Sequence, residues 1–97
     1  MVQTWYLHRS DNATKKFYVT NGSHKIYFGA AGYEDYTIHK NKKRRDRYDT
    51  RHAASENWND PNSAGFWAKW ILWNMPTIRG SIIDTKRRFN INIISCL

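Results

Sequence analysis

Three short segments near the start of the chain, Trp5–Arg9, Lys16–Thr20 and Lys25–Phe28, alternate bulky apolar residues with polar or amphipathic ones. A period of two sends successive side chains to opposite faces of a strand, so each segment has one face to bury. Turn formers separate the segments: Ser10-Asp11-Asn12-Ala13 after the first and Asn21-Gly22 after the second. Asn-Gly tolerates the positive φ that a tight hairpin demands. The pattern predicts a three-stranded antiparallel meander. Parity assigns Trp5, Leu7, Phe17, Val19, Ile26 and Phe28 to a core face, and Tyr6, His8, Lys16, Tyr18, Lys25 and Tyr27 to the opposite face.

Gly29-Ala30-Ala31-Gly32 then interrupts the sheet without forming a G-x-G-x-x-G nucleotide motif. From about Asp35 to Ala54 there is neither Gly nor Pro, which predicts one helix. Its apolar stripe is thin: Ile38, Tyr48 and His52, with the stems of Asn41 and Arg45 between them. A polar loop over Asn57–Ser63 ends in Asp60-Pro61, a helix-start signature with Asp60 as cap and Pro61 at the first helical position. Ala64–Asn74 holds Phe66, Trp67, Trp70, Ile71, Leu72 and Trp73 and reads as the buried central helix, ended by Pro76. Thr77 caps a third helix lined on one side by Ile78, Ile82, Thr85 and Phe89. Asn90–Leu97 reads as a short final strand or an apolar docking tail.

The expected fold is α+β. A three-stranded antiparallel meander (1–29) is followed by about three helices (33–89) and a short C-terminal strand (90–97), all in a single domain over the 97 residues. Fifteen aromatic residues supply the anchors that a chain of this size needs for its core. They also exclude a disordered or low-complexity chain.

Sixteen Lys and Arg against eight Asp and Glu leave a formal charge of +8. More than half of it lies in Lys40–Arg51, where Lys40, Lys42, Lys43, Arg44, Arg45, Arg47 and Arg51 face only Asp46 and Asp49. Seven cations on one helix form a collar suited to an anionic partner: nucleic acid, an acidic protein surface or anionic lipid. Charge alone does not choose among them. The Tyr6, Tyr18, Tyr27, Lys16, Lys25 face has the character of a surface on which bases stack or a protein partner docks, unless helices cover it. Trp58, set between Asn57 and Asn59, is either a lid on the core or an exposed contact.

Signals for chemistry are sparse. His8, His24, His39 and His52 form no metal-binding spacing, and Cys96 is the only cysteine, so neither an internal disulfide nor a metal centre nor a cofactor is expected. No Walker A or G-x-S-x-G element occurs. A nuclease using His39 or His52 as general base near Asn57 or Asn59 is the weakest of the readings. The start, Met1-Val2-Gln3-Thr4-Trp5, lacks the pattern of a secretion signal, so the sequons at Asn12 and Asn21 are read as coincidental. No apolar run approaches the roughly 18–20 residues that span a bilayer.

Longer strings carry a resemblance: Tyr33-x-Asp35-Tyr36-Thr37-x-His39-Lys40, Arg47-Tyr48-x-x-Arg51-His52, Glu56-Asn57-Trp58-Asn59-Asp60-Pro61, Ala64-Gly65-Phe66-Trp67-Ala68-Lys69-Trp70 and Leu72-Trp73-Asn74-x-Pro76-Thr77. From about Gly29 to Phe89 the chain resembles a family of small basic domains encoded by large double-stranded DNA viruses of eukaryotes, of the phycodnavirus and mimivirus kind. The resemblance transfers no catalytic residues. It implies a virion setting, with assembly in the host cytoplasm. Two functions are therefore expected. The first is a non-catalytic minor capsid or cementing component that bridges larger viral structural proteins with acidic surfaces. The alternative is a nucleic-acid-binding module for DNA or RNA, gripping phosphates through the basic helix and stacking bases on the Tyr face or Trp58.

Overall fold

The computed structural model describes residues 3–22 and 24–97. Met1 and Val2, on which the reading of the N-terminus partly rests, and Ser23 of the second sequon lie outside the described residues. The fold is α+β, as expected. β1 (Thr4–Arg9), β2 (Lys15–Asn21) and β3 (His24–Ala30) form the antiparallel meander. Leu7 lies opposite Val19, and Val19 opposite Ile26. Asn21 pairs with His24, so Gly22 (φ +59°) opens the hairpin loop, one position later than the Asn21-Gly22 turn expected. β4 (Asn92–Ser95) runs parallel to β1, with Trp5 opposite Ile93. The sheet is therefore mixed, in the order β3-β2-β1-β4.

Parity placed the core face correctly. Trp5, Leu7, Phe17, Val19 and Phe28 are buried, and Ile26 packs against them. The expected helix over 35–54 is two helices: α1 (Tyr36–His39) and α2 (Lys42–His52). Lys40 adopts the left-handed conformation at φ 55°, and the Asn41 side chain accepts hydrogen bonds from the Lys43 and Arg44 amides, starting a new helix. Absence of Gly and Pro does not guarantee continuity where Asn offers the backbone an alternative partner. The expected stripe is corrected with it. Ile38 is 55% exposed, Asn41 is a cap, and Tyr48 alone in that set is buried.

The central helix is shorter than expected. α3 (Ala64–Trp67) passes directly into a π-helical turn, Ala68–Leu72. The wider turn leaves the Trp70 carbonyl to accept from the Thr85 hydroxyl at 3.2 Å. Ser63, not Asp60, caps α3. Asp60 instead accepts from the Asn62 amide, and the Pro61 carbonyl accepts from the Trp67 indole at 2.7 Å. α4 (Ile78–Phe89) is capped by Thr77 as expected, whose hydroxyl accepts from the Gly80 amide. Ile78, Ile82 and Phe89 pack on the core, while Thr85 is fully buried.

α3, the π turn and α4 all press on the face of the sheet that carries Trp5 and Phe28. Close approach is tightest at Gly29, whose φ is +79° and where an added Cβ would lie 2.8 Å from Leu72 Cδ1. Both the backbone conformation and the contact oppose any larger residue there. Gly29→Ala is expected to lower stability by about 1–3 kcal/mol, measured by urea unfolding.

Candidate interaction surfaces

Because the helices occupy one face of the sheet, the other is open. Tyr27, Tyr18 and His8 lie side by side across β3, β2 and β1. The rings form a strip, His8–Tyr18 stacked at 4.8 Å and Tyr18–Tyr27 tilted at 5.5 Å. The Lys25 ammonium sits over both tyrosines, 4.4 Å from the Tyr18 ring and 5.0 Å from that of Tyr27. Asp11 reaches from the β1–β2 turn to accept from the Tyr27 hydroxyl and to pair with Lys25 at 3.2 Å. The hydrogen bond from Tyr27, then that from Lys25, holds the Asp11 carboxyl below its usual range. Lys25 is pushed up, first through Tyr27 and then through Asp11. In the next row Tyr6, 42% exposed, lies beside Ile94. The strip is thus ordered before any partner arrives.

Lys16, expected on this surface, does not belong to it. Its ammonium bonds to Asp35 at 2.7 Å, with only 15% of the side chain exposed. Asp35 is itself buried and accepts from the Thr37 amide and hydroxyl at the start of α1. This internal pair joins the sheet to the helical half. Trp58 is likewise tied down. Its indole donates to Glu56, its carbonyl accepts from the Trp70 indole at 2.7 Å, and Lys69 lies 5.0 Å from its ring. The ring is half-buried, held at the Glu56 carboxylate and the Trp70 indole.

The basic segment divides sharply. Lys40, though exposed, is tied to backbone, donating to the carbonyls of Thr37 and Pro76 at 2.9 and 2.7 Å. Arg44 pairs with Glu34 at 3.2 Å. Arg45 pairs with Asp46, reaches the Asn74 carbonyl and lies 5.0 Å from the Tyr36 ring. Asp49, the other acid of α2, is taken by Lys69 at 2.9 Å. Lys42, Lys43, Arg47 and Arg51 have no acidic partner among the described residues. Seven of the eight acids contact a basic side chain, so little negative charge is left to neutralise these four.

α2 rests on the body of the protein through Tyr48, which stacks on Trp73 at 4.4 Å with the rings 4° from parallel. Burial pushes the Tyr48 phenol above its usual range, with Glu56 and Asp49 adding to the effect, so it stays neutral. Arg44, Arg47 and Arg51 line a groove with Trp73. Trp73 packs on the core, so α2 is anchored to the helical layer and not to the face of the sheet that carries the tyrosine strip. Sequence reasoning treated Trp73 as core alone and missed Asp11 and Asp35. The signal for Asp11 was its place in a turn facing the tyrosines.

The histidines do not converge on a reactive centre. His52 bonds to Glu56 at 2.9 Å, while His39 Nδ1 accepts from the Asn41 amide at 2.9 Å. Among the described residues no group of three or more His, Cys, Asp or Glu side chains comes together to hold a metal ion. No helix of the described residues is long and apolar enough to cross a membrane.

A model for a family of unknown function, DUF5754, matches residues 6–52. The match spans β1 to the end of α2, just under half of the chain, and so covers both the tyrosine strip and the basic helix. No curated protein and no solved structure matches the chain.

His39 supplies a pH test of the junction that positions α2. Desolvation, then the nearby Arg44 charge, holds its imidazole below the usual value, against weaker opposing effects of Glu34 and Asp35. A histidine with a depressed folded pKa adds stability that is complete above the unfolded value, about 6.5, and is lost as pH falls below it. Protonating Nδ1 also removes the acceptor for Asn41. The melting temperature is expected to fall as pH drops through this window. His39→Gln should flatten that part of the profile; an unchanged slope would assign it elsewhere.

Proposed function

We propose that this chain is a non-catalytic interaction protein that bridges two larger neighbours, holding an acidic surface with α2 and a second surface with the tyrosine strip. The observation that carries the reading is the separation of the two surfaces. Four α2 cations without acidic partners among the described residues lie on a helix anchored to the helical layer through Tyr48 and Trp73, and the aromatic strip lies on the face of the sheet that the core does not use. Tyr, Trp and Arg are the usual anchors of protein interfaces, and an interface anchor works best when it is already ordered. In the viral setting implied by the sequence resemblance, the partners are structural proteins of the particle. The chain would then act as a minor capsid or cementing component assembled in the host cytoplasm.

A second reading, binding of DNA or RNA, draws on the same features. Bases stack on exposed aromatic rings, and Lys42, Lys43, Arg47 and Arg51 offer phosphate contacts. A single strand would have to pass round the edge of the sheet to use both surfaces at once, and for that reason we place this reading second.

The two separate in one set of measurements. Bridging predicts that the Lys43→Glu, Arg47→Glu, Arg51→Glu variant loses one partner and the Tyr18→Ala, Tyr27→Ala variant loses the other, each leaving the opposite contact intact in pull-downs from purified particles. Nucleic-acid binding predicts oligonucleotide affinity whose log–log salt slope falls by about one for each phosphate contact removed. Absence of the chain from particles, checked by mass spectrometry, would end the capsid proposal.

A further inference from the structure

β4 forms one edge of the sheet, with β1 beside it and no strand on its other side among the described residues. The Asn92 and Cys96 amides donate to the Gln3 and Leu7 carbonyls at 2.8 Å. Backbone groups alternate in direction along a strand, so the N–H and C=O of Ile93 and Ser95 point away from β1. Such groups are a template for another strand, and proteins ordinarily guard them with lysine, proline or a covering element. β4 reads Asn-Ile-Ile-Ser and carries none of these guards, whereas β3, at the opposite edge, starts His24-Lys25.

Beside the open edge lies a groove between β4 and α4. Ile78, Ile82 and Ile83 line it from the helix, together with Ile93 and Leu97. Ile83 is 57% exposed, although a helix position facing water ordinarily takes a polar residue. Arg79 lines the same groove and has no acidic partner among the described residues. An edge strand flanked by an apolar helix groove provides both parts of strand addition: main-chain hydrogen bonds for affinity and a pocket for alternate side chains.

We infer that this edge accepts an extended acidic segment of a partner protein as a fifth strand, with apolar side chains seated on Ile82 and Ile83 and a carboxylate on Arg79. Charge selects the occupant. A second copy of this chain would bring another +8 to the edge and a second unpaired arginine, whereas an acidic segment is attracted by both. The site is distinct from α2 and from the tyrosine strip, and it stands whether or not those surfaces bridge two neighbours.

The test uses the full chain, isotopically labelled, and a synthetic peptide that alternates isoleucine with threonine and ends in two aspartates. A control peptide ends in two lysines. The aspartate peptide is expected to shift and protect the Ile93 and Ser95 amides. Ser95→Pro removes a donor that faces the open edge and leaves the β1 ladder intact, so it should weaken binding by about tenfold or more at unchanged circular dichroism. If that variant fails to fold, Ile83→Asp is expected to give the same loss. Arg79→Glu should reverse the preference toward the lysine peptide. Equal affinity for the two peptides, binding indifferent to both Ser95→Pro and Ile83→Asp, or a concentration-dependent dimer abolished by Ser95→Pro would each overturn the inference, the last in favour of a second copy.

Discussion

Trp67 is the joint on which the fold turns. Its fully buried ring lies against Trp5 at 5.2 Å, Phe66 at 5.0 Å and Phe28 at 6.4 Å, while its indole N–H holds the Pro61 carbonyl. One side chain therefore links the sheet, the polar loop and the helical layer. Side chains of this size dominate the energy of a small core, and seating this one commits the helices to a single face of the sheet. The open aromatic strip follows from that commitment. Among the described residues no further element covers the second face.

The charges follow a similar logic. Buried or half-buried acids are consumed internally: Asp35 by Lys16 and the start of α1, Asp84 by Asn74 and Arg88, Asp49 by Lys69. The Asn74 hydrogen bond, then the charge of Arg88, holds Asp84 below the usual carboxylate range despite its burial. The Lys16–Asp35 and Lys69–Asp49 pairs fasten one element to another, and the Asn74–Asp84 bond ties α4 to the segment before it, while the Asp84–Arg88 pair lies within α4. The excess of cations is left outward, chiefly on a helix that meets the body through the flat Tyr48–Trp73 stack. The stack, with the Lys69–Asp49 pair, restrains the helix while leaving Lys42, Lys43, Arg47 and Arg51 exposed.

Much of this was legible beforehand because it rests on local rules. Alternation identified the strands and both faces of the meander, and Thr77 announced α4 through a side-chain cap whose chemistry is confined to a few neighbouring residues. Errors arose where one local signal competed with another. Asn41 capped a new helix in a stretch with no other breaker, and Ser63 displaced Asp60 as the cap of α3. The tie from Lys40 to the backbone of Pro76 was not legible, since the carbonyl that accepts its hydrogen bond lies 36 residues away. Lys16 was misplaced for the same reason. Parity assigned it to the tyrosine face, but its ammonium meets Asp35, which belongs to a different element.

The order of residues by itself determined the α+β class, the aromatic core and the local excess of positive charge, because periodicity, side-chain volume and charge are properties of short segments. Only the tertiary structure decided which cations stay without an acidic partner and which are consumed. It also decided that the tyrosine strip stays uncovered, and that the last strand completes the sheet in parallel and leaves an edge open. Those outcomes depend on which distant groups meet, and that is settled by how the tryptophans pack.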